Sequence, residues 1–229
     1  MRKEEAINRL LLNTFFKPYL NSSDIVTEIQ RQFHGIDITV PRLGNVDLKS
    51  AFTRLDGTLK TFAIELMYRT NGKTQQGWFL KDSKTHYYSF NYFRHRLLYE
   101  KSWKDYTNEE MQQLRVMNGL DDIGQSEIIL VNKYILKNFL MPYYNDESKQ
   151  LITNMVHQNI TMKRIDDLVS VFYSVRLREK PINFLVAKPK LIELADIHAR
   201  IDHQTNIVKI LKDNIFSDKP KTIELFTPI

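Results

Sequence analysis

Apolar and polar residues alternate on both sides of a turn-rich stretch at residues 41–45, within the segment 35–50. Alternation with a period of two is typical of half-buried strands, so the segment is predicted to form a β-hairpin. Side chains on a strand point alternately to opposite faces, which places Asp47 and Lys49 on the same face. Asp37 joins them if it pairs opposite Asp47, and that pairing requires a hairpin loop of odd length.

The hydrophobic pattern elsewhere predicts a mixture of helices and strands. In the first 93 residues it predicts two helices followed by a meander of four or five strands, and the remainder is mixed. The predicted helices cover residues 2–20, 24–33, 107–116, 134–141, 147–159, 163–169 and 188–195, and the predicted strands outside the hairpin cover residues 61–68, 77–80, 85–93, 126–132, 171–177 and 182–187.

No low-complexity stretch and no Gly/Ser-rich linker divides the chain. We therefore expect residues 1–229 to form a single domain, with a core over residues 1–100 and a C-terminal elaboration over residues 101–229 packed on it. The order of elements predicts the α/β (α+β) class, with a central mixed sheet flanked by helices and a mixed α/β elaboration.

Composition limits the kinds of protein and of site that the chain can form. A chain with 42% hydrophobic and 26% charged residues has enough apolar surface to fold around a core. It has no cysteine, which excludes disulfides, thiolate nucleophiles and cysteine-ligated zinc. It has no apolar run of the roughly 20 residues that cross a bilayer, and its start is amphipathic rather than a signal-peptide core. We expect a cytoplasmic protein with no membrane association.

The positive charge is concentrated in the first part of the chain. The net charge is +6, and residues 1–100 hold 15 Lys and Arg against 10 Asp and Glu, whereas residues 101–229 hold 18 against 17. An excess of this kind, in the part that carries the hairpin, is compatible with binding a polyanion such as nucleic acid, although many metabolic enzymes are as basic.

The hairpin brings together the side chains that a magnesium site uses. Mg²⁺ is held by one or two carboxylates while it keeps open positions for water, and Asp37 and Asp47 can supply both carboxylates. A neighbouring ammonium group such as Lys49 can position or polarise a water molecule that attacks a phosphate. The alternative is a solvated hairpin face on which the same residues form a cross-strand ion pair worth a few tenths of a kcal/mol.

Four pieces of sequence appear in an order that resembles the PD-(D/E)XK nuclease superfamily, including its bacterial and phage members. They are Gly35-Ile-Asp37, Asp47-Leu-Lys-Ser50, Phe62-Ala-Ile-Glu65 and Gly77-Trp-Phe79, and the resemblance covers roughly residues 22–93. It implies a restriction-endonuclease-like fold. The chain departs from the family pattern at Ile36, where a proline often precedes the first acid.

The resemblance also implies roles for individual residues. Asp37 matches the first strand acid, Asp47 and Lys49 match the Asp-x-Lys signature, and Glu65 is an extra acid on the next strand. Glu28 matches the acid of the preceding helix, although that helix can present Asp24 instead. The implied cofactor is Mg²⁺, with Mn²⁺ as a substitute, held by Asp37, Asp47, the Leu48 carbonyl and Glu65.

The implied activity is hydrolysis of DNA phosphodiester bonds by a Mg²⁺-dependent endodeoxyribonuclease. Lys49 would orient the attacking water or stabilise the phosphorane. Because this fold generally cuts both strands with two active sites, a homodimer is expected by analogy. Side chains near the Asn71-Gly72 turn are candidates for contacts with DNA, although a solvated hairpin tip explains them too; they are Arg69, Lys73, Gln75 and Gln76.

Two other functions stay open at the level of sequence. One is a catalytically inactive nuclease-fold protein that binds nucleic acid or serves in the assembly of a phage or mobile element. The other is a protein-binding module whose second half carries the interface. Intact Asp37, Asp47 and Lys49 favour the nuclease, because a lost activity places no demand on all three.

Overall fold

The computed structural model describes residues 3–22, 35–53, 59–70, 73–95, 107, 123–216 and 218–225. Three features predicted from the sequence therefore lie outside the described residues. They are the helix over residues 24–33 with Asp24 and Glu28, the Asn71-Gly72 turn, and all but the first residue of the helix over residues 107–116.

The chain folds into two compact units, each of which collects segments that are distant in sequence. The first consists of Met1–Leu59, Thr85–Asn132 and Ala195–Ile229, and the second of Lys60–Lys84 and Lys133–Leu194. Each unit contains one β-sheet. The single domain with a core over residues 1–100 stays a prediction, because both units take strands from either side of residue 100.

The first unit is built on a seven-stranded sheet with the order β1-β2-β5-β6-β10-β11-β12. All neighbouring strands are antiparallel except β2 and β5, which are parallel, so the sheet is mixed, as the sequence predicts. Its strands are Ile38–Val40 (β1), Gly44–Thr53 (β2), Tyr87–His95 (β5), Ile123–Asn132 (β6), Ile197–Asp202 (β10), Ile207–Asp213 (β11) and Thr222–Glu224 (β12).

The N-terminal helices cover one face of this sheet. Helix α1 spans Lys3–Leu11, a π-helical turn spans Leu12–Phe16, and α2 spans Lys17–Leu20, which confirms the helix predicted over residues 2–20. Their apolar side chains form one core with the inward side chains of the sheet, among them Leu11, Phe15, Val46, Leu48, Leu130 and Ile197. In the described part of the chain, no helix is long and apolar enough to cross a membrane.

The second unit has a five-stranded antiparallel sheet with the order β4-β3-β9-β8-β7. Its strands are Thr61–Thr70 (β3), Lys73–Gln76 (β4), Met162–Arg164 (β7), Val169–Tyr173 (β8) and Ile182–Ala187 (β9). Its helices are Lys133–Leu140 (α3), the 3₁₀ turn Met141–Tyr143, Asp146–Gln158 (α4) and Lys188–Leu194 (α5). The Asn145 side chain caps α4 by accepting the Ser148 N–H at 2.9 Å.

Three predictions about elements are wrong. The early strands do not form one meander, because β2 pairs with β5 while β3 pairs with β9 in the other sheet. Residues 163–169 are not helical: β7 ends at Arg164, and the Asp166 side chain then accepts two backbone N–H groups and turns the chain into β8. Residues 78–80 form a turn, and the strand that pairs with β3 is Lys73–Gln76.

Candidate metal centre

The β1–β2 hairpin sets the register of the acidic residues. Ile38 pairs with Val46 and Val40 with Gly44, which leaves a three-residue loop at residues 41–43. Continuing this register by one residue places Asp37 opposite Asp47, and the Asp37 N–H donates to the Val46 carbonyl at 3.0 Å. The predicted odd-length loop is confirmed, and the extended register places the two acids opposite each other.

Successive side chains of β2 lie on opposite faces of the sheet, and the two faces have different surroundings. Val46 and Leu48 lie in the core beneath the N-terminal helices, so Asp47 and Lys49 point to the opposite face. There Asp47 is 4% exposed, next to the fully buried Tyr88 of β5, with which it is in register. The Lys49 Nζ lies 2.7 Å from Asp47 Oδ1, and its side chain keeps 24% of its surface exposed.

Asp37 reaches across the hairpin to the same place. Its Oδ2 accepts the Leu48 N–H at 2.7 Å, so the carboxylate lies along the free edge of β2. The pKa of Asp47 is raised to about 7: burial is the largest cause, the Lys49 ammonium opposes the rise, and the charge of Asp37 and a hydrogen bond with it add to the rise. Keeping two neighbouring carboxylates ionised at one desolvated position costs free energy. A bound cation would offset that cost.

The Leu48 carbonyl faces the same edge as Asp37. In an extended strand, the N–H and C=O of one residue point to the same side, and the side alternates from residue to residue. Leu48 donates its N–H to Asp37, whereas the carbonyl of the next residue, Lys49, accepts the Asn91 amide of β5 at 3.2 Å on the other side. The Leu48 carbonyl is therefore directed to the side on which the Asp37 carboxylate lies, as predicted for a ligand.

Gly35 of the first motif and two residues that the sequence did not single out, Thr85 and His86, hold this arrangement in place. Gly35 has a φ of +70°, and a Cβ there would lie 2.9 Å from Thr85 Oγ1 and 3.2 Å from Asp47 Oδ2. Thr85 is 3% exposed and donates to the Gly35 carbonyl at 2.8 Å. His86 accepts the Asn45 N–H at 2.9 Å. Their partners lie about 40–50 residues away in sequence, so no local pattern points to them.

Neither Glu28 nor Glu65 is among the described residues of the first unit, which are the ones that form this centre. Glu28 lies outside them. Glu65 lies on β3 of the second unit's sheet, at a register shift between β3 and β9. Its carbonyl accepts the Phe79 N–H at 3.2 Å, and Gly77 packs directly against its backbone. The roles of both acids stay predictions.

The predicted DNA contacts lie together on the second unit. Arg69 lies near the end of β3, and Lys73, Gln75 and Gln76 lie on β4, paired with Thr70, Tyr68 and Met67 respectively. All four residues of β4 are exposed, while Arg69 is half-buried.

The donor set at the hairpin fits a hard divalent cation. Asp37, Asp47 and the Leu48 carbonyl offer oxygen atoms, which Mg²⁺ prefers, and Mg²⁺ commonly uses only one or two protein carboxylates. Among the described residues, no group of three or more Asp, Glu or His side chains converges. Comparison of the chain with protein families, with curated proteins and with solved structures finds no match. The chemistry of the centre is therefore argued from its own geometry.

Proposed function

We propose that the chain is a Mg²⁺-dependent endodeoxyribonuclease that uses the hairpin centre. One observation carries the proposal: the carboxylates of Asp37 and Asp47 meet at one buried position, with the Lys49 ammonium 2.7 Å from Asp47. An ordinary solvated ion pair does not account for it, because Asp47 is buried and lies beside a second acid.

Each residue has a distinct role in this proposal. Asp37, Asp47 and the Leu48 carbonyl would hold the ion, which would polarise the scissile phosphate and lower the pKa of a bound water molecule. Lys49 is oriented by Asp47 and retains a solvent-exposed portion, so its ammonium can hold the attacking water or the developing negative charge on the phosphate. The protein contributes mainly positioning and electrostatic stabilisation.

The restriction-endonuclease-like core belongs to the same proposal. The Asp-x-Lys strand β2 forms a hairpin with the strand that follows Asp37, and its other neighbour β5 is parallel to it. This arrangement supports a mixed central sheet of the kind that the resemblance implies. Glu28 and Glu65 remain proposed members of the catalytic set.

The proposal extends to the partner, the assembly and the location of the protein. DNA is the proposed substrate because the resemblance implies it and the first hundred residues carry the excess positive charge. A homodimer would supply two active sites for cutting both strands. A cytoplasmic location agrees with the absence of cysteine.

The proposal is tested on supercoiled plasmid DNA incubated with Mg²⁺, Mn²⁺ or EDTA. We expect the wild type to nick or linearise the plasmid with either metal and not with EDTA. Lys49→Ala should slow cleavage by about 100-fold or more, since it removes the group next to the phosphate. Lys209→Ala, which removes an exposed lysine from β11 of the same unit, is the matched control and should cleave as the wild type does.

The other outcomes separate the alternatives. Tight DNA binding without cleavage would favour an inactive nuclease-fold protein that binds or assembles with nucleic acid. Neither binding nor cleavage would favour a protein-binding module. Calorimetry gives an independent measurement: Mn²⁺ should bind to the wild type, and its heat should disappear in Asp37→Asn and Asp47→Asn, because each substitution removes a charged ligand.

A further inference from the structure

Two basic segments of the second unit lie side by side at one end of its sheet. The β3–β4 hairpin contributes Arg69 and Lys73, and the loop between β8 and β9 contributes Arg176, Arg178 and Lys180. A backbone hydrogen bond of 2.7 Å joins them, from the Arg69 N–H to the Glu179 carbonyl. We name these five cations the basic end.

The β8–β9 loop has a defined conformation that presents its cations to solvent. The Ser174 N–H donates to the Pro181 carbonyl at 3.0 Å, and the Lys180 N–H donates to the Leu177 carbonyl at 3.1 Å. Lys180 has a φ of +44°, in the left-handed region that costs a non-glycine residue about 1 kcal/mol. All residues from 176 to 180 are exposed, so the cations lie at the loop tip.

Three other cations of the second unit pair with a carboxylate, and in the described part of the chain those of the basic end do not. Lys149 lies 2.9 Å from Asp146, Lys190 lies 2.6 Å from Glu193, and Arg164 pairs with Asp167. Within the described residues, by contrast, none of the five cations of the basic end lies within 4.0 Å of a carboxylate. Glu179 is the single acid in either segment. Positive charge that is gathered without acidic partners is an electrostatic footprint for a polyanion.

An apolar side chain lies among these charges. Leu177 is 57% exposed and is flanked in sequence by Arg176 and Arg178. Proteins that bind the minor groove combine arginines with apolar side chains that press against the bases. The loop tip has this composition, which favours duplex DNA over a flexible acidic protein as the partner.

We propose that the basic end binds the phosphate backbone of duplex DNA, with Arg176 and Arg178 as the main contacts. The inference names a DNA-binding surface beyond the hairpin centre, and it rests on the proposed function only for the identity of the polyanion. It extends the predicted contact region from the β3–β4 hairpin to a loop more than 100 residues further along the chain.

The test is the fluorescence anisotropy of a labelled 20-base-pair duplex, titrated with the full-length protein in EDTA at several salt concentrations. Each phosphate contact contributes about 0.9 to the slope of log K against log[salt], so Arg176→Ala/Arg178→Ala should reduce the slope by about 1.8. Affinity should fall by roughly tenfold or more at low salt. The control Lys60→Ala/Lys163→Ala removes the same charge from exposed positions of the same unit and should leave the slope unchanged.

The result also separates this inference from the nuclease proposal, because hydrolysis is measured separately with Mg²⁺. A wild-type slope in Arg176→Ala/Arg178→Ala, an equal loss in the control, or no duplex binding by the wild type would overturn the inference. Cleavage by a variant that binds normally would leave the nuclease proposal intact while rejecting the basic end. A reduced slope without any cleavage would support the basic end and reject the nuclease.

Discussion

Asp47 is held in a position that is unfavourable for a charged group. Burial and the neighbouring Asp37 both raise its pKa, and the ion pair with Lys49 offsets only part of this. A residue whose sole task was to stabilise the hairpin would be better as a neutral polar side chain. Groups that are costly in this way are typical of functional sites, where stability is exchanged for chemistry.

Replacing Asp47 by Asn should therefore stabilise the metal-free protein. The folded-state pKa of about 7 lies above the ordinary value of 3.8, so ionisation of Asp47 lowers the free energy of unfolding as pH rises through this range. At pH 8 we expect Asp47→Asn to be more stable than the wild type by about 2–4 kcal/mol. The advantage should shrink as pH falls towards 4.

Urea denaturation at pH 4 to 8 measures this difference. Asp82→Asn, at an exposed position, is the control and should change stability by no more than about 0.5 kcal/mol at any pH. An Asp47→Asn protein that is less stable than the wild type at pH 8 would contradict the description of the acid pair.

His203 should make the protein sensitive to acid. It is half-buried, its Nε2 lies 2.6 Å from Ser126 Oγ, and burial lowers its pKa to about 4. The unfolded state therefore takes up this proton first, and stability is lost as pH falls from 6.5 to 4, by about 3 kcal/mol. His203→Gln should lose correspondingly less over this interval in chemical denaturation. The exposed His157→Gln should keep the wild-type profile, and a His203→Gln profile identical to wild type would exclude this origin.

At the residue scale, the sequence predicts those side chains whose positions depend on local alternation. Asp47 and Lys49 share a face because they are two residues apart on one strand, and Asp37 follows from the loop length. Thr85 and His86 depend instead on which distant strand pairs with β2. A single sequence contains no direct record of that pairing.

At the scale of elements, predictions succeed where a local pattern decides the structure and fail where distant pairing decides it. Strands β3 and β9 and helix α5 have strong internal patterns, and the predicted ranges agree closely with the observed ones. The expected meander is wrong because β3 pairs with β4 and with the distant β9, and not with β2, so the usual pairing of sequential strands holds at only one of its edges. The expected helix at residues 163–169 is wrong because the Asp166 side chain competes for the backbone N–H groups.

Gly77 gives a test at this scale. A Cβ at this position would lie 2.5 Å from the Glu65 carbonyl oxygen, and backbone cannot move aside as a flexible side chain does. Gly77→Ala should therefore separate β3 from the turn that follows β4 and lower the free energy of unfolding by about 2 kcal/mol or more. Thermal unfolding measures the loss. Thr74→Ala on exposed β4 should cost no more than about 0.5 kcal/mol, and an unchanged melting temperature in Gly77→Ala would refute the close contact.

At the scale of the whole molecule, the two units are interleaved in sequence. Strand β5 pairs with β6, and β3 pairs with β9, so each sheet needs chain from beyond residue 100. Charge and hydrophobic pattern do not predict this interleaving, because they describe individual segments and not which segments pair with each other.

A fragment of residues 1–100 should consequently fail to fold. It would retain only β1, β2 and β5 of one sheet and β3 and β4 of the other, too little to bury either apolar face. Circular dichroism should show that the fragment is largely unfolded, and calorimetry should detect no Mn²⁺ uptake by it, whereas the full chain should be folded and should bind Mn²⁺. A cooperative unfolding transition in the fragment would instead support an independent core over residues 1–100.

The pairing of β5 with β6 also has a consequence for synthesis. On the ribosome, β2 is complete 79 residues before β6 ends, from Thr53 to Asn132. At 5–20 residues per second, that interval lasts about 4–16 s. Throughout it, the nascent polypeptide carries both aspartates without the complete sheet in which Asp47 is buried. The proposed metal centre would thus stay incomplete until translation had passed residue 132.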